Sequence, residues 1–370
     1  MTIELRNLPQ VSSAAVGEYT RLSYVLVESV NARMSGREDL TDLIGSNSVE
    51  VMYENHRHHA AFMASVFQFG IYGLLSKTLP WVYRAYHSRG FSHAYFSAVM
   101  TVWIDVIREF MDQSASDILT IYEWMLTRHE ETVQLSLRPA IEPDAGSPVW
   151  QLDYERFRDA LLIGDVSVCL EMAQSRVDTA ERMVDFFVHV LQPAMQAVGA
   201  RWENGLISVA QEHLASAIVS RILASISTSG FSSAPTRGTA VVSAAANEFH
   251  EIGAWMLASC LESDGWDVQY LGANTPCSDL LDFVRSEKPD LLCISVAMIF
   301  NIGAVKTVID GVRSQPDLDG MRVLVGGQAL LHDPDIFHVL KADAMATDCK
   351  SAMNVARALI SRRASESRLS

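Results

Sequence analysis

The sequence predicts a multidomain protein with an all-α N-terminal domain, a second helical block packed as a four-helix bundle, and a C-terminal doubly wound α/β domain. Three observations predict it. Apolar residues recur at helical spacing, with almost no strand signal, through the first 135 or so residues and again from Tyr154 to about Ile226. Breaker-rich stretches separate the blocks: Leu137–Val149 carries Pro139, Pro143, Gly146 and Pro148, and Thr228–Thr239 is rich in Ser, Gly, Thr and Pro. Past the second stretch, short runs of Val, Ile and Leu alternate with helical segments, the order of a parallel sheet covered on both faces.

Taken in order, residues 1–136 form the first domain, with Phe62, Val66, Phe67, Ile71 and Leu74 at spacings of three and four, and residues 137–150 the linker after it. Residues 151–228 carry apolar stripes such as Met183, Phe187, Val190 and Leu191. Breaks at Gly164-Asp165 and at Trp202-Glu203-Asn204-Gly205 predict three or four helices in a bundle. Residues 238–362 hold the α/β domain, with strands at Thr239–Ala245, Leu291–Val296 and Met321–Val325. Helices are expected at Ile252–Glu262, Ser278–Glu287, Val305–Gln315 and Ser351–Ser361. A Rossmann-like or flavodoxin-like sheet of this kind binds ligands at the carboxyl ends of its strands.

A chain of 370 residues that is 49% hydrophobic buries cores and is not largely disordered. Its net charge of -15 opposes non-specific attraction to DNA or anionic membrane, and no Lys/Arg cluster offsets it, so direct DNA contact is not expected. The start, MTIELRNLPQ, lacks a secretory pattern, and no stretch reaches the roughly 18 apolar residues of a membrane span, so a cytoplasmic protein is expected. The five cysteines, Cys169, Cys260, Cys277, Cys293 and Cys349, form no CxxC pair and read as unpaired thiols of a reducing compartment.

The first strand of the α/β domain runs into Glu248-Phe249-His250-Glu251-Ile252-Gly253, which puts a histidine in the loop at a strand's carboxyl end. Metal-bound imidazoles usually donate their second N–H to a carboxylate, and Glu248 is placed to accept it. Gly253 opens the next helix, where a missing side chain lets a bulky ligand approach the backbone. Two further strands end in Ser295-Val296-Ala297 and in Gly326-Gly327. This order closely resembles the cobalamin-binding domains of methionine synthase, methylmalonyl-CoA mutase and cobalamin photoreceptors, with D-x-H-x-x-G, then S-x-L, then G-G. The resemblance implies that His250 binds cobalt from below in place of the cofactor's own base. It also implies that Ser295 contacts the displaced base and that Gly326 and Gly327 make room for it. Leu271-Gly272-Ala273-Asn274-Thr275-Pro276 resembles the loop after the family's second strand. Glu248 stands where the family usually has Asp, and Ala297 where it often has Leu or Thr.

In the second helical block Trp202 is followed after nine residues by Glu212-His213, and Ser208 with Gln211 forms a capping box that puts both in the first turn of the next helix. The arrangement resembles the cap of CarH-type photoreceptors, which implies that Trp202, Glu212 and His213 lie over the upper face of adenosylcobalamin. The family's histidine after this Trp is Glu203 here, so a bis-histidine light state from that position is not expected. Another ligand, His213 or water, would take that face.

The N-terminal block differs from the basic MerR-type DNA-binding domain of those receptors. Its segment Leu79–Ser92 is aromatic and basic, with Trp81, Tyr83, Arg84, Tyr86, His87 and Arg89, and with Tyr95, Phe96 and Trp103 nearby. Such residues can stack on a tetrapyrrole and pair with its propionates. The organisation resembles photocobilins, which implies a biliverdin held without a thioether, since no cysteine occurs in this block. The helical content also suits a globin-like sensor, with haem on one of His56, His58, His59, His87 or His93 as the competing cofactor.

The expected function is a non-enzymatic, light-driven signalling protein. Cobalt–carbon cleavage would shift the cap, and with no output enzyme after Ser370 the change would pass to a protein partner or alter homo-oligomeric assembly. The alternatives are a corrinoid protein of a methyltransferase system and a haem-based redox or gas sensor with accessory cobalamin.

Overall fold

The computed structural model describes residues 3, 8–112, 115–227, 231, 234–331 and 336–366, the last five by backbone only. Most of the chain start and half of the second Ser/Gly-rich linker therefore lie outside the described residues. The chain divides into two compact units, residues 1–140 with 203–206, and residues 141–202 with 207–370.

The first unit is helical: α1 (Ser13–Ser35), α2 (Leu40–Ile44), α3 (Val49–Phe69), α4 (Tyr72–His87), α5 (His93–Phe110), α6 (Ser116–Thr127) and α7 (His129–Ser136). The stripe from Phe62 to Leu74 is not one helix. Gly70 adopts the left-handed conformation (φ 63°) that only glycine takes readily, and its N–H closes on Val66 O, so α3 ends there and Leu74 falls on α4. Tyr19, Leu26, Phe67, Trp103, Ile107 and Tyr122 are fully buried where α1, α3, α5 and α6 meet. Each such side chain contributes about 1.5–3 kcal/mol by leaving water.

The second unit opens with α8 (Gln151–Ile163), α9 (Val166–Arg176) and α10 (Ala180–Phe186). A widened π turn over Phe187–Leu191 leads into α11 (Gln192–Glu203), and α12 (Val209–Ser227) follows. Gly164 (φ 74°) ends α8, and Asp165 caps α9 by accepting from Val168 N, as the breaker pair predicts. The break at Val177–Thr179 carries no Gly or Pro and was not expected; Thr179 caps α10 there by accepting from Arg182 N. The π turn precedes Pro193, whose ring cannot fit against the carbonyl four residues back in a regular helix. Phe157, Phe186, Phe187, Leu191, Ile218 and Ile222 form the bundle core, which continues into Met256, Cys260 and Cys349 of the α/β part.

That part contains β1 (Thr239–Ala244), α13 (Ile252–Ser263), β2 (Asp267–Tyr270), α14 (Cys277–Glu287), β3 (Leu291–Ser295) and α15 (Ile302–Arg313). Then come β4 (Arg322–Gly326), α16 (Gln328–Leu331), α17 (Ile336–Leu340), β5 (Ala344–Ala346) and α18 (Cys349–Glu366). All strands pair in parallel, in the order β2-β1-β3-β4-β5. The chain leaves β1 toward β2 and leaves β3 toward β4, so the crevice between the carboxyl ends of β1 and β3 is the switch point where such sheets bind ligands. The apolar runs of β1, β3 and β4 announce buried strands, whereas β2 and β5 are short edge strands with no such run. No helix among the described residues is long and apolar enough to cross a membrane.

Candidate functional site

The switch-point crevice holds a buried carboxylate that grips the predicted histidine. After β1 the chain turns through Asn247, left-handed at φ 61°, a conformation that asparagine tolerates better than most residues. The turn drives Glu248 inward, where it is completely buried. Glu248 Oε1 accepts from His250 N (3.1 Å) and from His250 Nδ1 (2.5 Å), and Oε2 accepts from Ala297 N (3.0 Å), Met298 N (2.8 Å) and Asn301 Nδ2 (3.1 Å). Because an ionised carboxylate only accepts, the imidazole proton sits on Nδ1, and Nε2 is the nitrogen left for a ligand. The His250 side chain is 55% exposed while its partner is 0% exposed, so the ring is held from behind and open in front.

The electrostatics follow from this geometry. Burial is the largest single influence on Glu248 and pushes its carboxyl up, but the bonds from His250, Met298 and Asn301 together outweigh it and leave the group below its ordinary range. His250 is raised, first by its bond to Glu248, against desolvation, with further help from the charges of Glu248 and Glu212. That last contribution brings Glu212, in the first turn of α12, within electrostatic reach of His250.

The predicted loops are tied together by backbone bonds. Ala245 N donates to Ser295 O, Ala244 N to Gly272 O, Leu271 N to Val242 O, and Val296 N to Gly326 O. Gly272 is left-handed (φ 75°). Gly327 (φ 109°) has no room for a side chain: a Cβ there would lie 2.2 Å from Val296 O, so the protein's own backbone already requires glycine. Gly326 is less constrained, at 3.1 Å from Ala346 O, and Gly253 least, with only Ser295 Oγ nearby at 3.6 Å.

On the bundle side the capping box forms as predicted, with Gln211 N donating to Ser208 Oγ (3.2 Å) and Ser208 N to Gln211 Oε1 (2.9 Å). Trp202 is half-buried in the last turn of α11. Glu212 accepts from Ser216 Oγ (2.9 Å), and His213 stands 3.5 Å from Glu212 with a mostly exposed side chain. Of the two, Glu212 is the one whose charge is felt at His250. Phe249, Val209 and Leu214 are among the exposed apolar residues of this unit.

Asn301 was not read from the sequence. It sits on a single 3-10 turn after β3, bonds both Glu248 Oε2 and Asn247 O, and so joins the β1 and β3 loops. Its only signal is one polar residue inside the apolar run Met298–Ile302. Asn274 (φ 54°), in the loop after β2, accepts at Oδ1 from Asn247 N and donates its N–H to Glu248 O.

Residues 238–362 match the family model of the B12 binding domain, and residues 154–226 match a second B12 binding domain model. The chain carries B12-binding domains. It is 26% identical over 187 residues to the methanol–corrinoid protein of Methanosarcina barkeri, covering 50% of this chain and 72% of that one. It is 33% identical over 143 residues to the HTH-type transcriptional repressor CarH of Myxococcus xanthus, covering 39% of this chain. The match spans about half of CarH, 47% of its length. The solved monomethylamine corrinoid protein of M. barkeri shares the fold, with a TM-score of 0.51 at 20% identity over 57% of this chain and 99% of that one.

The aromatic and basic segment of the first unit is mostly engaged in its own packing. Tyr83 is buried, stacked on Phe96 at 3.7 Å, and bonded to His129 Nδ1 (3.1 Å), and Tyr86 packs on Phe91 and Phe96. His87 stacks on His93 at 3.9 Å, Arg89 donates to Ala85 O, and Arg84 pairs with Glu203. Burial pushes the Glu203 carboxyl up, and Trp81 lies close enough to oppose that push. His56 and His59 lie in a polar network with Asn31, Tyr95 and Tyr122.

Proposed function

We propose that this protein is a cobalamin-dependent photoreceptor that binds adenosylcobalamin with its base displaced and His250 as the lower cobalt ligand. The carrying observation is the Glu248–His250 pair. A corrin brings its own equatorial nitrogens, so it needs one neutral imidazole nitrogen, and a buried carboxylate accepting from Nδ1 selects the neutral tautomer whose Nε2 carries the lone pair and orients the ring. Exposed Phe249, Val209 and Leu214 are apolar surface that a corrin and its upper ligand would cover. Trp202, Glu212 and His213 form the upper face in this reading, and the proximity of Glu212 to His250 supports it. Ser295, Val296, Ala297, Leu271, Gly272, Gly326 and Gly327 line the path of the displaced base, and Gly253 admits the corrin edge. When bound, cobalamin supplies a cobalt–carbon bond that visible light cleaves. The protein's part is to hold the ring, exclude solvent from its upper face and convert a change there into movement of α11 and α12.

The similarity to CarH favours a signalling role in which the protein acts without an enzymatic step, through a partner or through assembly of copies of this chain in the cytoplasm. The first unit is read as a globin-like or photocobilin-like sensor of a second tetrapyrrole, biliverdin, with Trp81, Tyr83, Arg84, Tyr86, His87 and Arg89 around it. The test is illumination of the full chain loaded in the dark with adenosylcobalamin. The expected result is conversion of the corrin spectrum with a change in sedimentation; an unchanged spectrum and assembly state defeat the reading. Added biliverdin should give a red absorption band, whereas a Soret band with haem would favour the competing cofactor.

A second reading, a corrinoid protein of a methyltransferase system, draws on the similarity to the methanol–corrinoid protein. It predicts that methylcobalamin-loaded protein passes its methyl group to an acceptor thiol in the dark, in the presence of a partner enzyme, and that illumination leaves its assembly state unchanged.

A further inference from the structure

We propose that the Glu203–Arg84 ion pair couples the occupant of the upper corrin face to α4 of the first unit. The chain passes from one unit to the other between Trp202 and Glu203 and returns between Leu206 and Ile207, so the loop 203–206 belongs to the first unit while the residues bonded to each end belong to the second. Within the first unit three consecutive residues of this loop are fixed. Glu203 Oε1 accepts from Arg84 Nε at 2.6 Å, with both side chains mostly buried. Arg84 is held in turn by Arg138 O. Asn204 makes a reciprocal pair with the backbone of Ala140, its Nδ2 donating to Ala140 O (2.9 Å) and its Oδ1 accepting from Ala140 N (2.8 Å). Gly205, left-handed at φ 70°, comes so close to α4 and its cap that a Cβ would lie 2.9 Å from Ser88 O.

A charge-assisted bond between enclosed side chains is short, directional and not readily exchanged for water. A displacement of Trp202 by an ångström therefore either carries the Glu203 carboxylate and α4 with it or breaks the 2.6 Å bond. Both outcomes change α4, which also carries Trp81, Tyr83 and Tyr86. The inference rests on the reading of Trp202 as part of the upper corrin face, and it assigns Glu203 a positioning role.

The experiment compares the full chain loaded in the dark with adenosylcobalamin or with hydroxocobalamin, which differ in the bulk on the upper face. Amide hydrogen exchange of peptides spanning residues 72–87 is the readout, and the corrin spectrum of each sample reports uptake. In the unaltered chain, exchange in this segment should differ at least threefold between the two forms. In Glu203→Gln and in Arg84→Met the difference should fall below 1.5-fold while corrin spectra are unchanged, and the charge swap Glu203→Arg with Arg84→Glu should restore part of it. Equal exchange in the two forms of the unaltered chain, despite normal corrin spectra, overturns the coupling alone, as does a full difference retained in both single variants. Failure of either corrin to bind, seen in the spectrum, overturns the underlying reading and the coupling with it.

Discussion

Replacing Glu248 with glutamine changes one atom of a buried side chain and should uncouple His250 from cobalt. The carboxylate accepts five hydrogen bonds, two from His250 and three from Ala297 N, Met298 N and Asn301 Nδ2. A glutamine amide offers one accepting oxygen. With its NH₂ toward the β3 loop it would face three donors, so the oxygen goes there and the NH₂ faces the imidazole. That amide can only donate, so Nδ1 must become an acceptor and its proton moves to Nε2, the nitrogen needed for the metal. Each bond kept at the β3 loop falls from about 1.5–3 kcal/mol for a charged acceptor to about 0.5–1.5 kcal/mol for a neutral one. Loss of the buried charge offsets part of this by removing its desolvation cost, so unfolding free energy should fall by only about 1–2 kcal/mol. Loss of the carboxylate partner of a metal-bound histidine costs about 10–100-fold in metal affinity. Titration of hydroxocobalamin into Glu248→Gln, followed by absorbance, should show that loss together with a shift away from the histidine-ligated spectrum, in a protein whose urea transition remains cooperative. Affinity within twofold of the unaltered chain, with the same spectrum, would refute the tautomer argument.

Gly327→Ala should cost stability by more than about 2 kcal/mol in a urea melt, since a Cβ 2.2 Å from Val296 O and φ at 109° combine a clash with backbone strain. Gly253→Ala should leave stability unchanged, because its nearest neighbour is Ser295 Oγ at 3.6 Å, yet lower corrin affinity at least tenfold by denying the ligand access to the backbone. His56, buried between Asn31 Oδ1 and the Tyr95 hydroxyl, is held down to about 3 by desolvation, with the charge of His59 adding to it. A depressed histidine contributes fully above its unfolded value of about 6.5 and progressively less as pH falls toward the folded value, so between pH 7.5 and 4.5 His56 should account for a loss of about 2–3 kcal/mol, to which His59, held down to about 4 by desolvation, adds. The urea midpoint against pH measures the sum, and His56→Gln should reduce its slope without abolishing it.

The parts of this fold legible in the sequence are those whose signal is local. Buried central strands announce themselves as apolar runs, and Gly164-Asp165 or Ser208 with Gln211 end and start helices through bonds spanning a few residues. What was not legible depends on partners far along the chain. β2 and β5 lie at the sheet's edges and need no apolar run, so only pairing with β1 and β4 defines them. The apolar spacing from Phe62 to Leu74 runs across two helices, and only the left-handed Gly70 shows that the chain turns between them. In the segment Leu79–Ser92, rings that can stack on a planar ligand are chemically indistinguishable from rings that stack on one another, and Tyr83 on Phe96 is the second kind.

The candidate site shows the same division within one residue. The spacing of Glu248 and His250 is local, and it announces a carboxylate behind an imidazole. The strength of that arrangement comes from residues some fifty positions away, because Ala297 N and Met298 N bond the other carboxylate oxygen and Asn301 spans both loops. Those bonds make the carboxylate ionised and immobile at full burial, and only an ionised, immobile acceptor fixes the proton on Nδ1. The β3 loop thus sets the chemical state of a histidine carried by the β1 loop. It follows that substitutions at Asn301, which bonds the carboxylate and not the imidazole, should weaken cobalt ligation without changing the motif that announces it. Asn301→Ala removes one of three bonds to Oε2, and an effect on hydroxocobalamin affinity smaller than that of Glu248→Gln but measurable, about three- to tenfold, is the result that this chain of dependence requires.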